Sequence, residues 1–327
     1  MPQSRFSFFP YLCIVKIYEA PHLIVAAAQV PATVATIGVF DGVHRGHCCL
    51  LAQVAHEARQ RGLRTMAVTF DQSPAHVLGH APAQPQLTDL DEKVRLLLCQ
   101  ADYVAVLPFT RELAALSARD FMARLHDELH VRALVIGYDH RFGHDRNEGF
   151  GDYVAHGRAL GLDVLQAHQL TDLDGVSSSS IRRLLADGQI DSAAHLLGRP
   201  YTFAGTVEGG HRVGRTMGYP TANIRPLYAH QLVPASGVYA VGVQLLDTPD
   251  TPTLPAALNI GTRPTLDNGS ERTIEAHLLD FEGDLYGQRV RLHFHSYLRP
   301  EQRFDTIEAL RRQISDDAAT VRQLLNS

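Results

Sequence analysis

Between Ala32 and Ala167 the chain alternates short β-rich runs with longer amphipathic ones, and after Pro200 that alternation stops. No other feature limits the fold as much. ATVATIGVF (Ala32 to Phe40) is β-rich, and in CCLLAQVAHEARQRG the residues Leu50, Leu51, Val54, Ala55 and Ala58 recur at helical spacing. Gly62 suits the left-handed residue that closes such a helix. RTMAVTF, YVAVLPF, RALVIG and LDVLQA continue the strand pattern. DLDEKVRLLLCQ, ARDFMARLHDEL with Ser117 as its cap, and a segment around Tyr153 to Leu160 supply the helices between. Strands alternating with helices of this length predict βαβ units and a parallel sheet. Such sheets bind ligands beyond the carboxyl ends of their strands.

SSSSIRRLLADG and DSAAHLLG read as two short helices leading out of this unit. Beyond Pro200, YTFAGTVEGG, GVYAVGVQLL, PAALNIG, TIEAHLLDF and QRVRLHFHSYL are short β-rich runs broken by Gly, Pro, Asn and Asp, the pattern of a small antiparallel barrel. Ile307, Leu310, Ile314, Val321 and Leu324 give the tail a helical stripe. His293 and His295 share a strand face and read as the polar side of a half-buried strand. A length of 327 residues exceeds one typical core. The expected division is an N-terminal extension and first strand region over 1–30, an α/β domain over 31–187, a linker over 188–200 and a barrel domain with a C-terminal helix over 201–327.

The net charge of −5 argues against a broad nucleic-acid surface. Four cysteines (Cys13, Cys48, Cys49, Cys99) without C-x-x-C spacing point to a reducing compartment. RFSFFPYLCIV has the basic start and apolar run of a signal peptide, but Pro10 interrupts it and Lys16 follows at once. No segment approaches the roughly 20 apolar residues of a membrane helix. The expectation is a cytoplasmic protein with an irregular N-terminal extension, acting on small molecules without nucleic acid or membrane, as a monomer or weak homo-oligomer.

GVFDGVHRGHCCL (Gly38 to Leu50) places glycines and two histidines where a strand gives way to a helix. A helix start offers N–H groups and partial positive charge suited to phosphate. Gly42 and Gly46 let the backbone approach an anion, and the imidazoles of His44 and His47 can add donors. A metal reading exists, with Cys48 as third ligand, but no further ligand cluster has fitting spacing. Two solvated loop histidines are the remaining alternative.

The stretch Gly38-Val39-Phe40-Asp41-Gly42-Val43-His44-Arg45-Gly46-His47 resembles the H-x-G-H signature of the nucleotidyltransferase superfamily, in the FDG-bearing form of bacterial FAD synthetases. The resemblance implies a Rossmann-like sheet whose turn binds ATP phosphates during adenylyl transfer. GYDHRFGHDRNEG (Gly137 to Gly149) is similar to the family's G-x-D-F-R-F-G segment, and VSSSSIR (Val176 to Arg182) to its V-S-S-T-x-I-R motif. By that resemblance Gly38, Phe40, Asp41, Gly42, Gly46, Gly137, Asp139, Arg141, Ser178 and Ser179 bind nucleotide. His44, His47 and Arg182 act in catalysis, and Asp71 and Arg146 contact flavin. The departures are Ser179 for threonine, His140 for phenylalanine, and TFDQSP (Thr69 to Pro74) for T-F-D-P-H-P. The last two bear on the flavin contacts rather than on the reaction.

GGHRVGRT (Gly209 to Thr216) nearly matches a P-loop, but Arg215 replaces its lysine, and Gly218 and Pro220 forbid the long helix that must follow. GRTMGYPTANI (Gly214 to Ile224) instead resembles the G-R-x-x-G-x-P-T-A-N signature of riboflavin kinases. GVYAVGV, LNIGTRPT and TIEAHLLDFEGDLYG follow in that family's order. The fused arrangement is that of bifunctional bacterial riboflavin kinase/FAD synthetases. The resemblance implies Gly214, Arg215 and Pro220 at the nucleotide, Thr221 and Asn223 on Mg²⁺, Glu275 as general base for the ribityl 5′-hydroxyl, and Arg299 beside the flavin. The implied cofactor is Mg²⁺, with ATP as co-substrate and riboflavin, FMN and FAD as substrates or products. The rival expectations are a kinase with a weak synthetase, a flavin-binding regulator without turnover, and an adenylyltransferase or cytidylyltransferase with another acceptor, which leaves the barrel motifs unexplained.

Overall fold

The computed structural model describes residues 15–20, 22–79, 84–138, 142–144, 148–168, 175–209, 220–248, 250–264 and 270–325. The chain divides into two compact units, one of Met1–Gln84 with Leu90–Asp174, the other of Pro85–Asp89 with Gly175–Ser327.

The first unit is built on a sheet of β1 (Lys16–Glu19), β2 (Leu23–Val25), β3 (Thr33–Ile37), β4 (Arg64–Phe70), β5 (Tyr103–Leu107), β6 (Val131–Ile136) and β7 (Asp163–Gln166), in the order β2-β1-β5-β4-β3-β6-β7. Helices α1 (Arg45–Arg61), α2 (Pro74–Val77), α3 (Leu90–Leu98), α4 (Arg111–Ala114), α5 (Ala118–Glu128) and α6 (Phe150–Leu160) lie between its strands. From β5 to β7 neighbouring strands are parallel, as the alternating pattern predicts. The caps also agree. Gly62 closes α1 with φ 63°, and Ser117 Oγ accepts the Asp120 N–H at 3.1 Å at the start of α5.

Strands already form within the extension and first strand region expected over 1–30: β1 pairs antiparallel with β2 and with β5, so the sheet is mixed at that edge. KIYE is too short to show a period, yet Ile17 and Tyr18 are both buried by their neighbours. Strand order reverses at β3, which runs to β4 and β5 on one side and has β6 and β7 on the other. The loop after β3 therefore stands at a topological switch point, where sheets of this kind bind ligands.

The second unit contains α7 (Ser178–Ala186), α8 (Ile190–Leu197) and strands β8 (Tyr201–Glu208), β9 (Ala222–Pro226), β10 (Gly237–Leu245), β11 (Leu254–Pro264), β12 (Ser270–Leu278) and β13 (Arg289–Arg299). The strands close into an antiparallel barrel in the order β10-β11-β12-β9-β8-β13. Its interior holds Phe203, Tyr239, Val241, Leu258, Ile274, Leu292 and Phe294. Ile181 and Leu185 of α7 and Ile190 and Leu197 of α8 share that core. The sequence reading divided these helices between the first domain and a linker, whereas their packing joins them to the barrel. The C-terminal helix Ile307–Leu325 lays Ala318 and Val321 over Ala240 and Ala257 on the barrel's outer face. His293 Nε2 lies 3.2 Å from Gln244 Oε1, on the polar side of a strand whose Leu292 and Phe294 are buried.

Candidate active sites

In the first unit the chain leaves β3 through a turn in which Phe40, Gly42 and Val43 have φ of 52°, 81° and 38°. Glycine accepts this, but phenylalanine and valine do so at about 1–3 kcal/mol each. The strain is held by packing, since Phe40 and Val43 are almost wholly buried. Gly38 makes the fold-back possible. A Cβ there would stand 3.1 Å from Phe40 Cζ.

The turn delivers the two histidines at the start of α1. Their rings stack with centroids 3.6 Å apart, and the Phe40 ring meets His47 edge-on at 5.1 Å. His44 is the N-cap residue, makes no side-chain capping bond, and no acidic residue sits in the first turn of α1. Such a helix start is chemically suited to an anion. His44, His47 and Cys48 do not form a metal cluster. Among the described residues, no group of three or more His, Cys, Asp or Glu could hold a metal ion.

Beyond the carboxyl ends of β3, β4, β5 and β6 lies an apolar cleft. Val39, Phe70, Pro74, Phe109 and Phe142 are among the residues lining it. Phe142 stacks on buried Tyr153 at 4.3 Å, and the Tyr153 hydroxyl bridges the Phe142 N–H and carbonyl at 3.2 and 3.1 Å. Asp71 Oδ1 accepts the Phe109 N–H at 2.8 Å, so this carboxylate sets one wall of the cleft.

Sequence reasoning missed Lys93 of α3. Its ammonium is buried and donates to the carbonyls of Phe70 at 2.7 Å and Val39 at 3.4 Å. Burial pushes this lysine down to about 8, against the opposing pull of Asp41 and Asp71. Nothing in the helical stripe of DLDEKVRLLLCQ marks it.

The serine run opens α7 in the second unit. Ser177 and Ser180 cap the helix reciprocally, with Ser177 Oγ accepting the Ser180 N–H at 3.1 Å and Ser180 Oγ the Ser177 N–H at 3.0 Å. Ser178 and Ser179 thus occupy its first helical positions, and Ser179 is exposed. Arg182 Nε donates to Pro85 carbonyl at 2.8 Å.

On the barrel, Ile274, Ala276 and Leu278 point into the core, which turns Glu275 and His277 outward. Asn223 of β9 is the register partner of Glu275, and Asn259 of β11 its partner on the other side. Neighbours in register share a face, so three polar side chains stand in a row on the outside of the barrel. Asn259 Nδ2 donates to Glu301 Oε1 at 3.3 Å. Thr221 is exposed and lies just before β9. His277 Nδ1 is 3.0 Å from the Pro220 carbonyl; since that oxygen only accepts, Nδ1 carries the proton. Asn259 and His277 were also missed, because register is invisible in sequence. Arg299, which the resemblance sets beside the flavin, lies at the end of β13. Its guanidinium forms a bidentate pair with Asp317 of the C-terminal helix, Nη2 to Oδ2 at 2.7 Å and Nε to Oδ1 at 3.0 Å. Gly137 follows β6, and Asp139, Arg141, Arg146, Gly214 and Arg215 lie outside the described residues.

Comparison with known proteins agrees with both halves. Residues 26–181 match the family model for FAD synthetase, and residues 197–325 that for riboflavin kinase. A relative from Escherichia coli K12 described as a bifunctional riboflavin kinase/FMN adenylyltransferase is 39% identical over 313 residues, covering 94% of this chain and 97% of that protein. A relative from Pseudomonas fluorescens with the same description is 40% identical over 294 residues, 89% of this chain and 92% of that protein. A crystal structure from Streptococcus pneumoniae described as a macrolide-efflux protein aligns with a TM-score of 0.80 at 29% identity, covering 91% and 97% of the two chains. Among the described residues of the present chain, no helix is long and apolar enough to cross a membrane.

Proposed function

The chain belongs to the family of bifunctional riboflavin kinase/FMN adenylyltransferases, and from that premise we propose which residues carry each activity. It is an enzyme of flavin-cofactor synthesis: it phosphorylates riboflavin to FMN with ATP, then adenylylates FMN to FAD with release of pyrophosphate.

The kinase reaction belongs to the outer face of the barrel. Glu275 accepts the proton of the ribityl 5′-hydroxyl as that oxygen attacks the γ-phosphorus of ATP. The donor set beside it, an amide oxygen and a hydroxyl next to one carboxylate, fits Mg²⁺, which takes few protein ligands and keeps phosphate oxygens and water. Thr221 and Asn223 would hold the ion, which supplies charge neutralisation for the transferring phosphoryl group. His277 fixes the Pro220 carbonyl and with it the course of the chain into Thr221. The observation that carries this assignment is the register pairing of Asn223 with Glu275.

Adenylyl transfer belongs to the turn Gly38 to His44 and the start of α1. A phosphate oxygen of FMN attacks the α-phosphorus of ATP and pyrophosphate leaves, with no covalent enzyme intermediate. Backbone N–H groups of the first turn of α1 and the imidazoles of His44 and His47 stabilise the phosphate charge. The apolar cleft beyond β4 and β5 takes the isoalloxazine ring, with Asp71 acting through the Phe109 wall rather than as a direct ligand. Cysteine usage and small-molecule substrates suit a cytoplasmic enzyme, acting as a monomer or weak homo-oligomer without nucleic acid.

The test is the product pattern of Glu275→Ala. It should form FAD from FMN and ATP but make no FMN from riboflavin, and a variant that still phosphorylates riboflavin overturns the assignment of the base.

A further inference from the structure

We propose that Lys93 is a positioning residue for adenylyl transfer: its buried side chain clamps the loop after β3 to the end of β4 and so holds the turn that presents His44 and His47. This rests on the assignment of adenylyl transfer to that turn.

The turn stores strain in Phe40 and Val43 and must be held from outside its own backbone. Two kinds of contact do this. Gly38 N–H donates to the Val68 carbonyl at 3.0 Å, and Thr69 Oγ1 to the Val39 carbonyl at 3.2 Å. Lys93 adds a cationic link, reaching from a different helix to Val39 on the turn and Phe70 on β4. Residue 70 begins the F-D pair whose Asp71 sets the Phe109 wall of the cleft. One ammonium thus ties the phosphate-binding turn to the flavin wall. The charged groups that act on it are Asp41 from the turn and Asp71 from the end of β4. An isolated buried ammonium is costly and is kept only where partners compensate it. Here those partners belong to both substrate-facing loops.

Lys93 touches no substrate in this account, so its loss should misplace the reacting groups. Displacement of about 1 Å costs up to roughly 100-fold in rate. Lys93→Met and Lys93→Arg, each in the full chain, should be assayed for FMN-to-FAD conversion from pH 7 to pH 9.5, with riboflavin-to-FMN conversion in the same preparations. The expected results are a fall of about 10- to 100-fold in kcat for FAD formation in Lys93→Met, substantial rescue in Lys93→Arg, and unchanged riboflavin phosphorylation. Wild-type FAD formation should also decline as pH rises through about 8, where Lys93 loses its charge, whereas Lys93→Arg should not share that decline. If Lys93→Met fails to fold by circular dichroism, the two pH profiles alone decide. Wild-type kinetics in a folded Lys93→Met, or the same alkaline decline in wild type and Lys93→Arg, overturns the inference. His47→Ala separates the two ideas. If it too forms FAD normally, the site assignment has failed; if it loses FAD formation while Lys93→Met does not, only the role of Lys93 has.

Discussion

Asn223 on β9 and Glu275 on β12 face one another across the barrel ladder, on its outer side, although the sequence holds them far apart. Under the proposed function the two do different work in one reaction. Glu275→Gln should lower kcat for riboflavin phosphorylation by about 10²- to 10⁴-fold with little change in the KM for ATP. Asn223→Ala should chiefly raise the Mg²⁺ and ATP concentrations needed for half-maximal rate. Steady-state kinetics over both co-substrates distinguishes the two.

The bond from His277 to the Pro220 carbonyl should be felt in the same reaction. One such bond is worth about 0.5–1.5 kcal/mol. His277→Ala should therefore reduce kcat/KM for riboflavin phosphorylation by roughly two- to tenfold, leaving FAD formation from FMN unchanged.

Gly38→Ala tests the strained turn. The added methyl would press on the Phe40 ring, whose edge orients His47. FAD formation should fall by about tenfold or more with riboflavin phosphorylation intact, since the turn is a positioning element. A variant with wild-type FAD formation would remove Phe40 from the account.

The Arg299–Asp317 pair is nearly buried, and removing one partner of such a pair costs about 3–5 kcal/mol. Asp317→Asn should lower the melting temperature of the barrel and loosen the C-terminal helix, as read by hydrogen exchange. Unchanged melting together with weakened flavin binding would instead return Arg299 to the flavin.

Lys93 also makes a stability prediction with a definite sign. Its folded-state value is pushed down from 10.5 to about 8, chiefly by burial. Between those values the unfolded chain binds a proton that the folded protein has released, so stability rises with pH across that window. Denaturant titrations from pH 7.5 to pH 10.5 should show wild type gaining stability relative to Lys93→Met as pH rises. FAD formation should run the opposite way.

The legible parts were those written in local pattern. The strands from β3 to β7 announced themselves by β-rich runs, Gly62 and Ser117 by cap chemistry, and the barrel by short runs between turn residues. The turn before α1 was visible as glycines and histidines at a strand-to-helix junction. What stayed hidden depends on contacts distant in sequence. β1 is too short to show a period and is defined by its pairing with β5. Helices α7 and α8 carry ordinary apolar stripes that cannot say which core they enter. Leu87, which belongs to no element of the sequence pattern, is buried in that same core. Lys93 looks like the solvated face of a helix until Val39 and Phe70 are seen above it. The Arg299–Asp317 pair, too, joins residues that no local pattern links.

The most direct test of two activities at two separate sites is complementation between inactive variants. His47→Ala and Glu275→Ala should be incubated with riboflavin, ATP and Mg²⁺, alone and mixed, and the flavins separated by chromatography. The account predicts FMN and no FAD from His47→Ala, neither product from Glu275→Ala, and FAD from the mixture, as FMN made by one protein is adenylylated by the other. FAD from either variant alone, or FMN without FAD in the mixture, would contradict it.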